Sequence, residues 1–149
     1  MSEQPDQPGP PERPERTVLV ADDDEDLRAL VCETLRADGY RVIEAHDGAE
    51  LLEQLRGGLD GTLERPDVVV TDVLMPKLSG LGVLDALRRA QWNVPVILMT
   101  VMGDGSVHTL ARRLGAVSVL RKPLDIEVLR TAVMNAGSAF ARAAVSRST

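Results

Sequence analysis

Four short apolar runs punctuate the chain, and each ends on polar residues. Val18-Leu19-Val20-Ala21 leads into Asp22-Asp23-Asp24, and Val68-Val69-Val70-Thr71 into Asp72. Val96-Ile97-Leu98-Met99 leads into Thr100, and Val117-Ser118-Val119-Leu120-Arg121 into Lys122-Pro123. Short continuous apolar runs bounded by turn formers read as strands buried on both faces. Between them the apolar period becomes helical. Leu27, Leu30, Val31, Thr34 and Leu35 precede Gly39, where a helix should stop. Arg41 to Glu44 is a short strand candidate, and Asp47 with Glu50 makes a start like a capping box for a helix carrying Leu51, Leu52 and Leu55. Gly57-Gly58 is the expected end of that helix, with a polar loop from Gly57 to Pro66 before a strand over Asp67 to Thr71.

Further helices are expected from about Gly82 to Ala90, from Ser106 to Leu114 with Gly115 as the stop, and after Asp125, burying Ile126, Leu129, Val133 and Ala136. Pro95 opens the fourth strand. Five strand and helix pairs in strict alternation predict an α/β fold, a parallel sheet with helices on both faces. Right-handed crossovers leave few topologies, of which the flavodoxin-like (βα)5 order 2-1-3-4-5 fits best. Ligands in such sheets lie beyond the carboxyl ends of the strands, where strand order reverses. Asp22, Asp23 and Asp72 converge there.

The 149 residues suffice for one domain with a real core. Residues 1–16 are Pro-rich and polar and are expected to be a disordered tail, 17–137 the folded domain, and 138–149 the end of the last helix and a tail. That last segment is too short for a further domain, so a free-standing domain or a piece of a longer protein is expected. Tyr40, Trp92 and Phe140 are the whole aromatic complement, which disfavours base stacking, and a net charge of −6 opposes direct nucleic-acid binding. The single cysteine, Cys32, rules out an internal disulfide and reads as a buried side chain of the first helix. No membrane-spanning run or signal-peptide pattern is present, so a cytoplasmic protein is expected.

Several carboxylates in one crevice repel each other unless a cation shares the site. An open, acidic, phosphate-handling site suits Mg²⁺, and no His or Cys cluster suggests zinc. A carboxylate can also attack phosphorus to form an aspartyl-phosphate. Asp72, alone at its strand end, is the candidate nucleophile, whereas the pair Asp22 and Asp23 suits metal ligation. Lys122 offers a compact charge and Thr100 a hydroxyl for phosphoryl oxygens. Taken singly, each has a plainer meaning: Asp24 or Asp26 as a helix cap, Lys122-Pro123 as a turn, His46 and His108 as surface residues. Met75, Met99 and Met102 read as packing, and Trp92 lies away from the crevice.

On these residues the sequence resembles the receiver domain of bacterial two-component response regulators, over about Thr17 to Ala136. The marks are Val18 to Asp24, Val70-Thr71-Asp72-Val73-Leu74-Met75-Pro76 with Ser79-Gly80, Thr100, and Leu114-Gly115-Ala116 leading to Lys122-Pro123. The resemblance implies that Asp72 accepts phosphate from a phosphohistidine on a sensor kinase or histidine phosphotransfer protein, and that the domain then alters binding to a downstream partner. It implies direct Mg²⁺ ligation by Asp23, Asp72 and the Leu74 carbonyl, with Asp22 acting through water. Thr100 and Lys122 would meet the phosphoryl group, and Pro123 would follow a cis bond. Two positions depart from the family pattern. Val119 stands where an aromatic residue is usual, and Val101 where a small one is usual, which implies an altered or damped response on the face of helix four, strand five and helix five. Leu74 and Met102 are apolar near the expected hydrolytic water, which implies a long-lived phosphoryl group.

Two rival functions share parts of this pattern. A phosphatase of the haloacid dehalogenase type would use Asp22 as nucleophile and Asp24 as acid, but Asp26 stands where that family needs Thr. A receiver-like docking module that is never phosphorylated would fit Val101 and Val119, yet would have no use for Asp22, Asp23, Asp72, Thr100 and Lys122 together.

Overall fold

The computed structural model describes residues 16–76, 78–101 and 105–148, with side chains described as far as residue 137. Residues 1–15 of the expected proline-rich tail and Met102 lie outside the described residues. The chain alternates β1 (Thr17–Ala21), α1 (Glu25–Ala37), β2 (Arg41–Ala45), α2 (Gly48–Asp60), β3 (Val68–Asp72), α3 (Gly80–Arg89), β4 (Val96–Thr100), α4 (Gly105–Arg113), β5 (Ser118–Arg121) and α5 (Ile126–Ser148). All pairings are parallel, in the expected order β2-β1-β3-β4-β5.

Side-chain alternation along the inner strands builds two cores. Leu19, Ala21, Val69, Val96 and Leu98 face α2, α3 and α4 through Leu51, Leu55, Val83, Leu84, Leu87, Val107 and Ala111. Val18, Val20, Val68, Val70, Ile97 and Met99 face α1 and α5 through Val31, Cys32, Leu35, Leu129, Val133 and Ala136. Strands β1, β3 and β4 are buried at every position, which explains why their sequences lack the alternation of a half-exposed strand. The chain's largest ring, Trp92, packs into the first core, and the Arg65 guanidinium lies 4.9 Å from its centroid.

Helix α2 does not end at Gly57-Gly58 but runs on to Asp60, with Gly61 in the left-handed conformation (φ 85°) as its cap. The two glycines are packing positions. A Cβ on Gly57 would collide with the Leu63 side chain, while Gly58 lies under Trp92 and Arg65. Their carbonyls accept from the Leu63 amide (3.0 Å) and Arg65 Nε (3.1 Å), folding the following loop back onto the helix. That contact offsets the helical penalty of glycine, about 1 kcal/mol each. Helix α3 also starts earlier than its apolar pattern indicates, because Ser79 caps it by accepting from the Gly82 amide.

Candidate functional site

The strand register brings the polar signals into step. Ala21 pairs with Thr71, Asp72 with Met99 and Thr100 with Arg121, so Asp22, Asp72, Thr100 and Lys122 all lie at the carboxyl edge of the sheet. Asp22 is fully buried, Asp72 nearly so, and Asp23 is exposed. One carboxylate oxygen from each of the three can be chosen so that all lie within 4.8 Å of one another.

Each carboxylate is held by a local turn. The Asp24 amide donates to Asp22 Oδ1 (2.9 Å), and Asp24 itself caps α1 by accepting from the Leu27 amide. The Leu74 amide donates to Asp72 Oδ1 (3.1 Å). Lys122 closes the site, its ammonium 2.6 Å from Asp72 Oδ2 and 3.1 Å from Asp22 Oδ2. Its backbone is fixed by donation to the Thr100 carbonyl (2.8 Å), and the Lys122–Pro123 bond is cis, as the resemblance implies.

Burial raises the Asp22 pKa above the usual carboxylate range, more than the Asp24 amide and Lys122 lower it, and the Asp72 charge adds to the rise. For Lys122 burial acts downward, but hydrogen bonds and charge from Asp72 and Asp22 outweigh it and the ammonium is held more firmly than usual. Among the described residues the crevice therefore sets two buried carboxylates against the one ammonium of Lys122. An all-oxygen donor set in an open site is what a hard divalent cation requires, so Asp22, Asp23 and Asp72 fit Mg²⁺.

The remaining candidates fall around this centre. Thr100 is buried at the end of β4. Leu74 contributes its backbone beside Asp72 while its side chain is exposed. The Val101 side chain is 64% exposed, and Val119 is half-buried against the core beneath α2 to α4. His46 is an exposed partner of Glu50. His108 differs from the expected surface residue: it lies half-buried between Val107 and Ala111, and its Nε2 has no partner among the described residues. Asp24, which a phosphatase of the rival type would need as its acid, is occupied as a helix cap.

Two glycines matter here beyond what their sequence setting shows. A Cβ on Gly80 would run into the Asp72 carbonyl oxygen, and one on Gly48 into Leu78. With the Gly80 amide donating to Val73 O (2.9 Å) and the Gly48 amide to Pro76 O (3.3 Å), they let Val73, Pro76 and Leu78 come close to the starts of α2 and α3. Arg28 was equally hidden. It is nearly fully buried, although it shares a helical stripe with Val31, Cys32 and Leu35, and that charged position on an apolar stripe was the available signal.

A doubly wound parallel sheet of order 2-1-3-4-5, with an acidic crevice and a lysine at its carboxyl edge, defines a flavodoxin-like receiver architecture. The profile of the response regulator receiver domain matches residues 18–134, and the chain belongs to that family, the phosphoacceptor domains of two-component signalling. It is 32% identical to the sporulation initiation phosphotransferase F of Bacillus subtilis over 116 residues, 78% of this chain and 89% of that protein. It is 37% identical to the transcriptional regulatory protein CpxR of Escherichia coli over 108 residues, 72% of this chain but 43% of that protein. The receiver domain of the Francisella response regulator 1452 superimposes with a TM-score of 0.75 at 27% identity, covering 87% of this chain and 99% of that one. Among the described residues no helix is long and apolar enough to cross a membrane.

Proposed function

We propose that Asp72 is the phosphoacceptor of a phosphorelay, taking a phosphoryl group from a phosphohistidine on a sensor histidine kinase or a histidine phosphotransfer protein. The observation that carries this reading is the Lys122 ammonium bridging Asp72 and Asp22 in a crevice with a third carboxylate, Asp23. An oxygen of Asp72 attacks phosphorus as the bond to the imidazole nitrogen breaks, and that nitrogen takes the electron pair. The Leu74 amide and Lys122 hold the attacking carboxylate in one orientation. Lys122 and the Thr100 hydroxyl then meet the charge of the transferred group. Asp23 and Asp72, with the Leu74 carbonyl, would hold Mg²⁺ directly and Asp22 through water; the ion supplies charge neutralisation for the phosphoryl oxygens. The domain catalyses its own phosphorylation and dephosphorylation and turns over no separate substrate.

The phosphorylated domain changes its affinity for a downstream protein rather than for nucleic acid, in keeping with its net charge of −6 and a cytoplasmic setting. Val101 and Val119 make the response on α4, β5 and α5 smaller than in relatives with an aromatic residue and a small residue at those positions. Leu74 offers no polar side chain to orient a hydrolytic water, which favours a long-lived phosphoryl group. Incubation with Mg²⁺ and acetyl phosphate tests the central claim. The intact protein should gain one phosphoryl group, hold it for well beyond seconds, and lose the ability to gain it in Asp72→Asn; label retained in that variant would overturn the assignment.

A further inference from the structure

We infer that Arg28 is a positioning residue for the acidic crevice, acting through the Asp22–Asp23 peptide. Arg28 is 5% exposed and lies on the first turn of α1. Its Nη1 donates to the main-chain carbonyl of Asp22 at 2.7 Å, and its Nε donates to Glu44 on β2 at 3.1 Å. Glu44 is in turn held by Arg36 at 3.3 Å.

The carbonyl that Arg28 grips belongs to the one peptide plane that carries Asp22 at one end and Asp23 at the other. Because that plane is rigid, holding its oxygen limits how far the two Cα atoms can swing together, and so restrains the backbone from which both side chains project. The Asp22 amide donates to the Ala45 carbonyl at 3.2 Å, so the residue is tied on both sides. A guanidinium suits this task because it stays charged and offers two donors in a rigid fork, one for the carbonyl and one for Glu44. Glu44 provides the countercharge that lets the guanidinium stay buried. The carboxylates themselves are not touched, so Arg28 acts on the site by holding its frame.

This role rests on the proposed Mg²⁺ site. Residues that orient metal ligands typically affect affinity by ~10–100-fold when removed. Calorimetric Mg²⁺ titration of the full chain should therefore show Arg28→Met binding ~10-fold or more weakly than wild type, with Arg28→Lys in between. Asp23→Asn serves as the control for the metal site. Amide exchange in Mg²⁺-free protein supplies the second readout: Arg28→Met and Arg28→Lys should speed exchange at Asp23 and Asp24 while the Val31 to Leu35 amides keep wild-type protection. Wild-type affinity in a folded Arg28→Met protein would overturn the inference, as would uniform acceleration along α1. If Arg28→Met does not fold, wild-type affinity and wild-type exchange in Arg28→Lys would do the same. If wild type itself fails to bind Mg²⁺, the metal reading falls, and the local exchange pattern alone decides the role of Arg28.

Discussion

The Lys122 ammonium reaches across the end of β4 to lie 2.6 Å from Asp72, joining strand ends that are not neighbours in the sheet. The same nitrogen is 3.1 Å from the fully buried Asp22, so one cation separates two carboxylates. Removing one partner of a buried ion pair costs ~3–5 kcal/mol, and because the Lys122 side chain is 13% exposed the lower end applies. Lys122→Met should lose ~3 kcal/mol in urea denaturation without Mg²⁺. Adding Asp72→Asn should recover part of that loss, since one of the two carboxylates left without a cation is then neutral while Asp22 remains. Equal stability of Lys122→Met and wild type would mean that Lys122 does not neutralise the crevice.

Gly80→Ala tests how closely α3 must approach the phosphoacceptor candidate. The new methyl would meet the Asp72 carbonyl oxygen, a backbone atom with no freedom to turn aside. Overpacking of this kind costs ~1–3 kcal/mol, and here the displaced atom belongs to Asp72. Both the denaturation midpoint and the extent of acetyl phosphate labelling should fall. Gly105→Ala, where an added Cβ meets nothing among the described residues, is the matched control: labelling should be unchanged and the midpoint should not fall, alanine being the better helix former.

Cys32 sets an alkaline limit to stability. Burial, with a smaller push from the Glu44 charge, raises its thiol to about 11. In the unfolded chain a thiol ionises near ~8.5. A raised native pKa means that the stabilisation is complete below ~8.5 and is lost as pH climbs toward the native value. Relative to Cys32→Ala, wild type should lose up to ~3 kcal/mol between those limits. The check is a pair of urea titrations across that range. Parallel curves for the two proteins would show that the buried thiol does not control the loss. The native thiol should also react slowly with disulfide reagents, at a rate that rises with denaturant.

Much of this architecture could be read from the sequence because strands buried on both faces are spelled as unbroken apolar runs. Val18 to Ala21, Val68 to Thr71 and Val96 to Met99 could sit nowhere else in an alternating chain, and their parallel register then forced Asp22, Asp72 and Thr100 to one edge. Features that depend on contact between distant segments were not legible. Gly57 and Gly58 look like a stop until Leu63 and Trp92 are seen to need the space. Gly48 looks like an ordinary helix start until Leu78 lies over it. Arg28 is marked only by its place on the apolar stripe of α1, and nothing local announces the carbonyl and the carboxylate that its guanidinium meets.

The proposed damped readout turns on two valines. Val119 packs half-buried against the core and Val101 projects into solvent. A β-branched valine has few rotamers open to it, so Val119 lacks the two-position swing available to a long aromatic side chain. Phosphorylation of wild type should therefore leave amide exchange in α4 and β5 nearly unchanged, while the loop around Asp72 becomes better protected. The double substitution Val119→Tyr with Val101→Ala supplies a ring that can move and reduces the side chain next to Thr100. It should label with acetyl phosphate as wild type does, since the hydrogen bonds made by the Asp72, Asp22 and Lys122 side chains involve Leu74, Asp24 and one another, and neither valine. It should also show a phosphorylation-dependent change in exchange across α4 and β5. A wild-type protein that already shows that change would sink the damped-response reading while leaving the phosphoacceptor assignment intact.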